Sequence, residues 1–565
     1  MSGKRWSPET FYPLFLMVSV AVLYNSILGA FWLGDDPLIL KHAILYHPWE
    51  YFFVPAVWQK GTVSNFTPWL VFSFDLDHKL FGINPFGFYL HQLASLCLLA
   101  GIAYFVLRLW FPSVLSFWGV LLFIVSPPFA RLSQMLMVRH YLEGFIFAAL
   151  SVYCFTKDMR ESPGWLSVVG TFFYLLAVSA KEVYVPLPFL LLLLREGSPL
   201  KRLKRVVPWL IVLAVYVFWR WYMLGRLVGG YSEISAWFKN VMLFPLRVVD
   251  AMRGVQGPPV HWWRWFIGSS SVLSVAAVIV LSDRKSLLNE LAVSALLLLP
   301  IFPVSSIMSP RYVWLPFFFW IVVHLISWNR LNNRMNKMPA RIVISLWGIT
   351  LLACFSCVSL SNASLTRGNI KRQGEEGKFV FEHGSATDLL VNPSSSGWYY
   401  SGLSWLRKDV LRLGQGPSAI SDSRIICLDR LRGDKGGDVV NSFRHIWHFD
   451  PRLGVLVSGD VRDFCGRWSH QGIRMDKSLS MNVNYNRAVF AWTFGPYQKG
   501  DYTLFVGRTS ESKFPLPKNG KAFISFRGET VYLRLRYVSP DGWLSYSPLL
   551  ELAVKNDKGS VQWRR

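Results

Sequence analysis

The sequence predicts a polytopic α-helical membrane protein with about eleven spans and a C-terminal extracytoplasmic β-rich domain. Three observations predict it. Apolar residues make up 52% of the 565-residue chain and charged residues 16%, against roughly 25% charged in soluble domains. Apolar runs approaching the ~20 residues that a bilayer requires recur from residue 11 to residue 360. Beyond residue 478 the runs give way to alternation of apolar and polar residues, the period of a half-buried strand.

The apolar runs lie near 11–33, 86–110, 113–132, 136–155, 164–180, 183–195, 206–224, 265–282, 289–306, 312–328 and 341–360. The loops "TKDMRESPG" (156–164), "REGSPLKRLKR" (195–205), "SDRKSLLNE" (282–290) and "NRLNNRMNKMPAR" (329–341) are short and basic. Cytoplasmic flanks carry this Lys/Arg excess. Placing all four inside, with Lys4 and Arg5, gives a cytoplasmic N-terminus and an outward C-terminus. It also keeps 229–263, an amphipathic stretch ending "HWWRW", on the outer side in the interface. A bacterial inner (plasma) membrane is the expected location.

Four regions follow: a transmembrane domain over 1–360, a polar linker over 361–386, a mixed α/β region over 387–470 and a β-sandwich-like domain over 471–565. In the last, "ETVYLRLRYV" places Val531, Leu533, Leu535 and Tyr537 on one face and Arg534 and Arg536 on the other. Turn signals such as "PDGW" separate short strands, as in small sandwiches of immunoglobulin-like type.

A formal charge of +25 raises nucleic acid as a partner, but many of the basic residues flank apolar runs, and no nucleic acid is expected. Cys97, Cys154, Cys354 and Cys357 lie within apolar stretches and read as packing residues, while Cys427 and Cys465 can pair in an oxidising compartment. The first apolar run is long enough to span and is followed by no small-residue cleavage site.

The chemistry-bearing residues gather at the expected outer face. In "GAFWLGDDPLILKHA", Asp36 before Pro37 fits a helix N-cap, which leaves Asp35 unexplained. A carboxylate where a helix meets water can act as a general base toward an acceptor hydroxyl. The loop over 34–85 is far longer than a connector requires. Within it, Asp75, Asp77 and His78 match no specific metal-ligand spacing and read as a solvated face. Arg139 in "QMLMVRHYLEG", Lys181 in "AVSAKEVYVPLP" and Arg311 in "SSIMSPRYVWLP" are cations at outer ends of spans, with Arg220 a fourth. Each charge at that depth needs a reason. Snorkelling explains any one of them, and together they form a candidate phosphate site at headgroup depth. Glu182 either neutralises Lys181 or serves another partner.

Five stretches in order carry a resemblance: the acidic pair after the first span, "LDHKLFGINPFGFYLHQ", "SPPFARLSQMLMVRHYLEG", "SAKE" opening a span, and "PRYVWLP" late in the chain. Over roughly residues 10 to 330 the chain resembles the multi-spanning GT-C glycosyltransferases, especially the protein O-mannosyltransferases and their tetratricopeptide-containing relatives. The resemblance implies transfer of a sugar from a polyprenyl-phosphate donor to an acceptor hydroxyl, with inversion at the anomeric carbon. Asp35 would be the base and Asp36 its partner. Arg139, Lys181, Arg311 and Arg220 would bind the donor phosphate, supported by Glu182, His140, Tyr312, Asp77 and His91. A monophosphate leaving group requires no cofactor, although a divalent ion is compatible with the chemistry. The acceptor class stays open: protein, lipid or glycan. Two other classes stand beside this one. A transporter or flippase would place its ionisable groups near the bilayer midplane and show repeats. In a non-catalytic envelope assembly protein the acidic pair would be only a cap.

Overall fold

The computed structural model describes residues 11–62, 64–161, 164–227, 243–244, 247–248, 251, 262–302, 310–334, 337–420, 422, 424, 443–459, 473–486, 489–507, 512–523, 530–555 and 558–563. Most of the stretch 229–263, together with Cys427 and Cys465, lies outside them. The chain divides into two compact units: residues 1–29, 51–55 and 65–366, and residues 30–50, 56–64 and 367–565.

Each apolar run of the sequence falls on a helix. In order these are Tyr12–Tyr24, Pro85–Leu107, Ser113–Ile124 with Pro127–Ser133, Arg139–Glu161, Trp165–Ala180, Leu187–Leu193, Pro199–Leu224, Trp262–Leu281, Arg284–Leu298, Trp314–Arg334 and Lys337–Lys378. Among the described residues, four helices are long and apolar enough to cross a membrane, or up to five if a bent pair counts as one span. The chain is thus mainly helical, with several apolar helices of a membrane-associated protein. Some of its helices start where the sequence supplies both a cap and a proline. Asn84 accepts from the Phe86 amide at 3.1 Å and Ser198 from the Lys201 amide at 3.3 Å, each just ahead of a proline that needs no amide partner.

The third run is broken rather than continuous. Ser113–Ile124 and Pro127–Ser133 meet at 58°, because Pro127 and Pro128 cannot donate to the preceding turn. The bend frees carbonyls that a membrane helix must satisfy internally. Two distant hydroxyls do so: Tyr24 donates to the Ile124 carbonyl at 2.6 Å and Ser359 to the Val125 carbonyl at 2.5 Å. Cys97, Cys154, Cys354 and Cys357 are free thiols.

In the second unit, the segment expected as a polar linker is helical through Lys378 and continues as a π-type turn, Phe379–His383. Tertiary contacts explain the difference. Arg372 pairs with Glu376 at 2.8 Å one turn on. Fully buried Glu376 also accepts from the Ser394 amide and the Tyr400 hydroxyl, each at 2.8 Å. Gly377 admits no side chain, since a Cβ there would lie 2.1 Å from the Tyr399 hydroxyl.

Strands β1 (Asp388–Val391), β2 (Ser418–Ile420), β3 (His445–Asp450) and β4 (Val455–Gly459) form a sheet of order β2-β1-β3-β4. The helix Gly397–Trp405 lies between β1 and β2 in the chain. The β-rich end comprises β5 (Ile473–Met475), β6 (Ser480–Asn486), β7 (Val489–Gly495), β8 (Asp501–Val506), β9 (Ser512–Leu516), β10 (Asn519–Phe523), β11 (Thr530–Val538), β12 (Leu544–Tyr546), β13 (Leu550–Lys555) and β14 (Lys558–Trp563). Strict alternation in β6 buries Met481, Val483 and Tyr485 beside Phe490, Trp492 and Phe494 of β7 and Leu533 and Leu535 of β11. On β11's other face, Arg536 pairs with buried Asp422 at 2.9 Å, and the Tyr546 hydroxyl donates to the same carboxylate at 2.7 Å.

Candidate active site

The cations Arg139, Lys181 and Arg311 of the first unit fall into two clusters. One is open and forms where a span breaks. The helix Trp165–Ala180 ends at Ala180, Lys181 takes an extended conformation (φ −155°, ψ 138°), and a 3-10 turn, Glu182–Tyr184, follows. Pro186 and Pro188 keep the chain from resuming the old helix. The break turns the Lys181 side chain into the protein, where it is 7% exposed. Its ammonium lies 5.0 Å over the Tyr141 ring, a cation–π contact. Tyr141 is fixed from behind: its carbonyl accepts from the Tyr184 hydroxyl at 2.6 Å. Tyr184 in turn lies on Gly144, where a Cβ would come within 2.4 Å of its ring.

Arg311 approaches from the start of the late helix. Its guanidinium stacks 5.0 Å over the Tyr312 ring and donates to the Tyr312 hydroxyl at 3.1 Å. Tyr312 meets Tyr141 edge-on at 6.2 Å, so the two rings stand between two cations. Buried His140 lies within electrostatic range of both Lys181 and Arg311. A third cation joins them: Arg131, on the short helix after the bend, is within electrostatic range of Arg311. Among the described residues, neither Lys181 nor Arg131 forms an ion pair. Lys181 sits in the break between two helices, and burial pushes its ammonium down to about 8; Glu182 opposes this, while Arg311 and Arg220 add to it.

Glu182 is spent elsewhere. It accepts from Arg220 at 2.6 Å and from the Phe66 amide at 2.8 Å. Arg220, expected to bind the donor phosphate, is the ion-pair partner of Glu182, and of the two alternatives for Glu182 the structure gives the second.

The other cluster is closed. Arg139, expected to bind phosphate, is wholly buried and forms an ion pair with Asp77. It also donates to Gln92 Oε1 at 3.2 Å, Ser73 Oγ at 3.1 Å and the Phe88 carbonyl at 2.6 Å. His91 Nδ1 lies 2.7 Å from Asp77, and its Nε2 lies 3.5 Å from Glu143. Glu143 accepts from Trp69 and Ser73, each at 2.8 Å. Asp77 was expected on a solvated face; it is 1% exposed because the helix Pro68–Phe81 turns it toward Arg139. Asp77 and His91 thus flank Arg139, whose ion pair and hydrogen bonds join three helices. Among the described residues, no group of three His, Cys, Asp or Glu side chains can hold a metal ion.

The acidic pair belongs to the second unit, where the two carboxylates differ. Asp36 is fully buried and opens the helix Asp36–Leu45; its Oδ2 accepts from the Leu33 amide at 2.8 Å, which closes the preceding turn. Asp35 holds the N-cap position with its side chain exposed.

Arg131 is the residue that sequence reasoning missed. The signal was present in "SPPFARLS": Ser before two prolines marks a helix restart, and a cation one turn past a restart within an apolar run has the same standing as Lys181. No protein-family model matches the chain, and no curated protein matches it in sequence.

Proposed function

We propose that the chain is a membrane glycosyltransferase of GT-C-like plan. On this reading it has about eleven crossings, a cytoplasmic N-terminus and an extracytoplasmic C-terminal domain. It transfers a sugar from a polyprenyl-phosphate donor to an acceptor hydroxyl, with inversion.

The observation that carries this reading is the buried Lys181 ammonium in the break between two helices, held over the Tyr141 ring with Arg311 and His140 within electrostatic range. Like charges held together at low dielectric repel one another, and an anionic ligand relieves that cost. A cavity of about 490 Å³ is lined by Val183 and Tyr184, which follow Lys181 closely in the chain, by apolar side chains such as Leu187 and Phe318, and also by Arg195, Glu290 and Arg330. A phosphate joined to a long hydrocarbon tail matches both features, the head on the cations and the tail in the apolar space.

In the reaction, the acceptor oxygen bonds to the anomeric carbon as the bond from that carbon to the phosphate oxygen breaks. The bonding pair stays on the phosphate, whose growing charge the preplaced cations stabilise. The acceptor's proton passes to a base, which we assign to Asp35 as the exposed member of its pair. A resident metal has no assigned step.

Asp35→Asn tests the base. It preserves size and removes the proton acceptor, and the transfer rate is expected to fall by about 10²–10⁴-fold with the melting temperature unchanged. The assay supplies a lipid extract from the native cell and detects the product by mass. A folded variant that transfers sugar at the normal rate removes Asp35 from the mechanism.

A further inference from the structure

Two neighbouring side chains at the break keep polar atoms that the fold does not satisfy, and they are of opposite kind. The Lys181 ammonium has three N–H donors. It is buried over the face of the Tyr141 ring, and among the described residues no hydrogen-bond acceptor reaches it. His140 is buried as well, and its Nδ1 has no hydrogen-bond partner among the described residues. A neutral imidazole carries one N–H and one bare nitrogen, and beside an ammonium the neutral ring is the form of lower energy. Its N–H is given to the Met137 backbone one turn back. The ring therefore keeps an acceptor nitrogen for which the described residues supply no donor.

A buried polar atom left without a partner costs free energy. Both groups lie against the Tyr141 ring, whose centre is 5.0 Å from the ammonium and 4.7 Å from the centre of the His140 ring. No more than the sum of those distances separates the ammonium from the imidazole, and the two are within electrostatic range. A phosphate ester whose next carbon but one bears a hydroxyl spans such a gap, with a hydrogen bond of about 2.8 Å at either end. A sugar phosphate has that arrangement: the anomeric carbon carries the ester oxygen, and the carbon beside it carries the hydroxyl.

Resting on the lipid-phosphate reading above, we propose that His140 accepts a hydrogen bond from the group beside the anomeric carbon of the donor sugar while Lys181 holds the phosphate. His140 is then a specificity-determining residue. The site takes sugars that carry a hydroxyl or an amide N–H at that carbon. It rejects sugars lacking the group, because their binding strips water from the imidazole nitrogen and leaves it unpaired.

The test titrates the full-length protein in detergent, at neutral pH, and reads heat of binding. The probes are hydroxyethyl farnesyl phosphodiester, its isostere propyl farnesyl phosphodiester, and farnesol. The hydroxyethyl ester places a hydroxyl as the sugar does, and it is expected to bind about tenfold tighter than the propyl ester. His140→Phe should bring that ratio to one, and His140→Asn, whose side-chain carbonyl is again an acceptor, should keep part of it. Lys181→Gln should weaken both esters and leave their ratio in place. Equal affinity for the two esters in the wild-type protein overturns the inference, and the lipid-phosphate reading stands if both still bind more tightly than farnesol. A ratio that survives in His140→Phe also overturns it, by assigning the hydroxyl to another residue. Farnesol binding as well as either ester, or neither ester binding, overturns both. If neither His140 variant folds, the wild-type ratio decides the matter.

Discussion

The first turn of the helix Arg139–Glu161 faces two polar clusters that treat buried charge in opposite ways. Arg139 and Glu143 turn toward Asp77, His91, Ser73 and Trp69, and these donors and acceptors meet within the protein. His140 and Tyr141, two of the residues between them in sequence, turn toward Lys181 and Arg311, whose like charges lie within electrostatic range of each other. A buried charge with a full set of partners holds helices in register. A buried charge set near others of its own sign costs stability, a cost that a ligand of opposite sign would lower.

Breaking the closed cluster has the largest expected effect. Arg139→Ala leaves Asp77 and Glu143 without their cation, and about 3–5 kcal/mol of stability should go with it, seen as loss of folded protein in detergent melting. Normal melting with lost transfer would break the comparison, since Arg139 would then be a ligand.

Lys181→Gln should do the reverse, with transfer down roughly 100-fold and melting unchanged or improved. Its pH dependence sharpens the point. The Lys181 ammonium titrates near 8 in the folded protein and near 10.5 when unfolded, so between these values the unfolded chain holds more protons and stability rises with pH. Wild-type melting should climb across that window, and the Gln variant should lose this part of the climb. Arg220→Gln has a smaller effect. It frees Glu182 to pair with Lys181, weakening donor binding by about tenfold, measured as KM for a lipid-phosphate donor. Trp543→Ser, on an exposed turn of the β-rich end, is the control. It should change melting by no more than the equivalent of about 0.5 kcal/mol and leave transfer intact.

Much of the fold was legible because it rests on local patterns. Apolar run length located the helices, and alternation in "SLSMNVNYN" located β6 down to the buried faces of Met481, Val483 and Tyr485. Pairing was not legible. Nothing local distinguishes Asp77 from a solvated loop acid, since its burial depends on Arg139, 62 residues away in the chain. Likewise "NASLTRGNIKRQGEEGK" reads as a linker until Ser394 and Tyr400 arrive to satisfy Glu376. At the site, Lys181 and Arg311 stood out as charges in apolar surroundings, while Arg220 looked the same in sequence and proved to be spent on Glu182. Charge depth can be read from one sequence; charge balance needs the fold.

The two hydroxyls at the bend have a consequence for tuning. Tyr24 and Ser359 hold the carbonyls of Ile124 and Val125, and Gln92 grips the Leu132 carbonyl at 2.9 Å. The short rod bearing Arg131 is thereby moored at one end by the opening and closing helices of the bundle and at the other by the closed cluster. Removing a single oxygen, as in Tyr24→Phe, slackens that mooring far from any reacting atom. The placement of Arg131 can thus be adjusted by editing residues that never touch it.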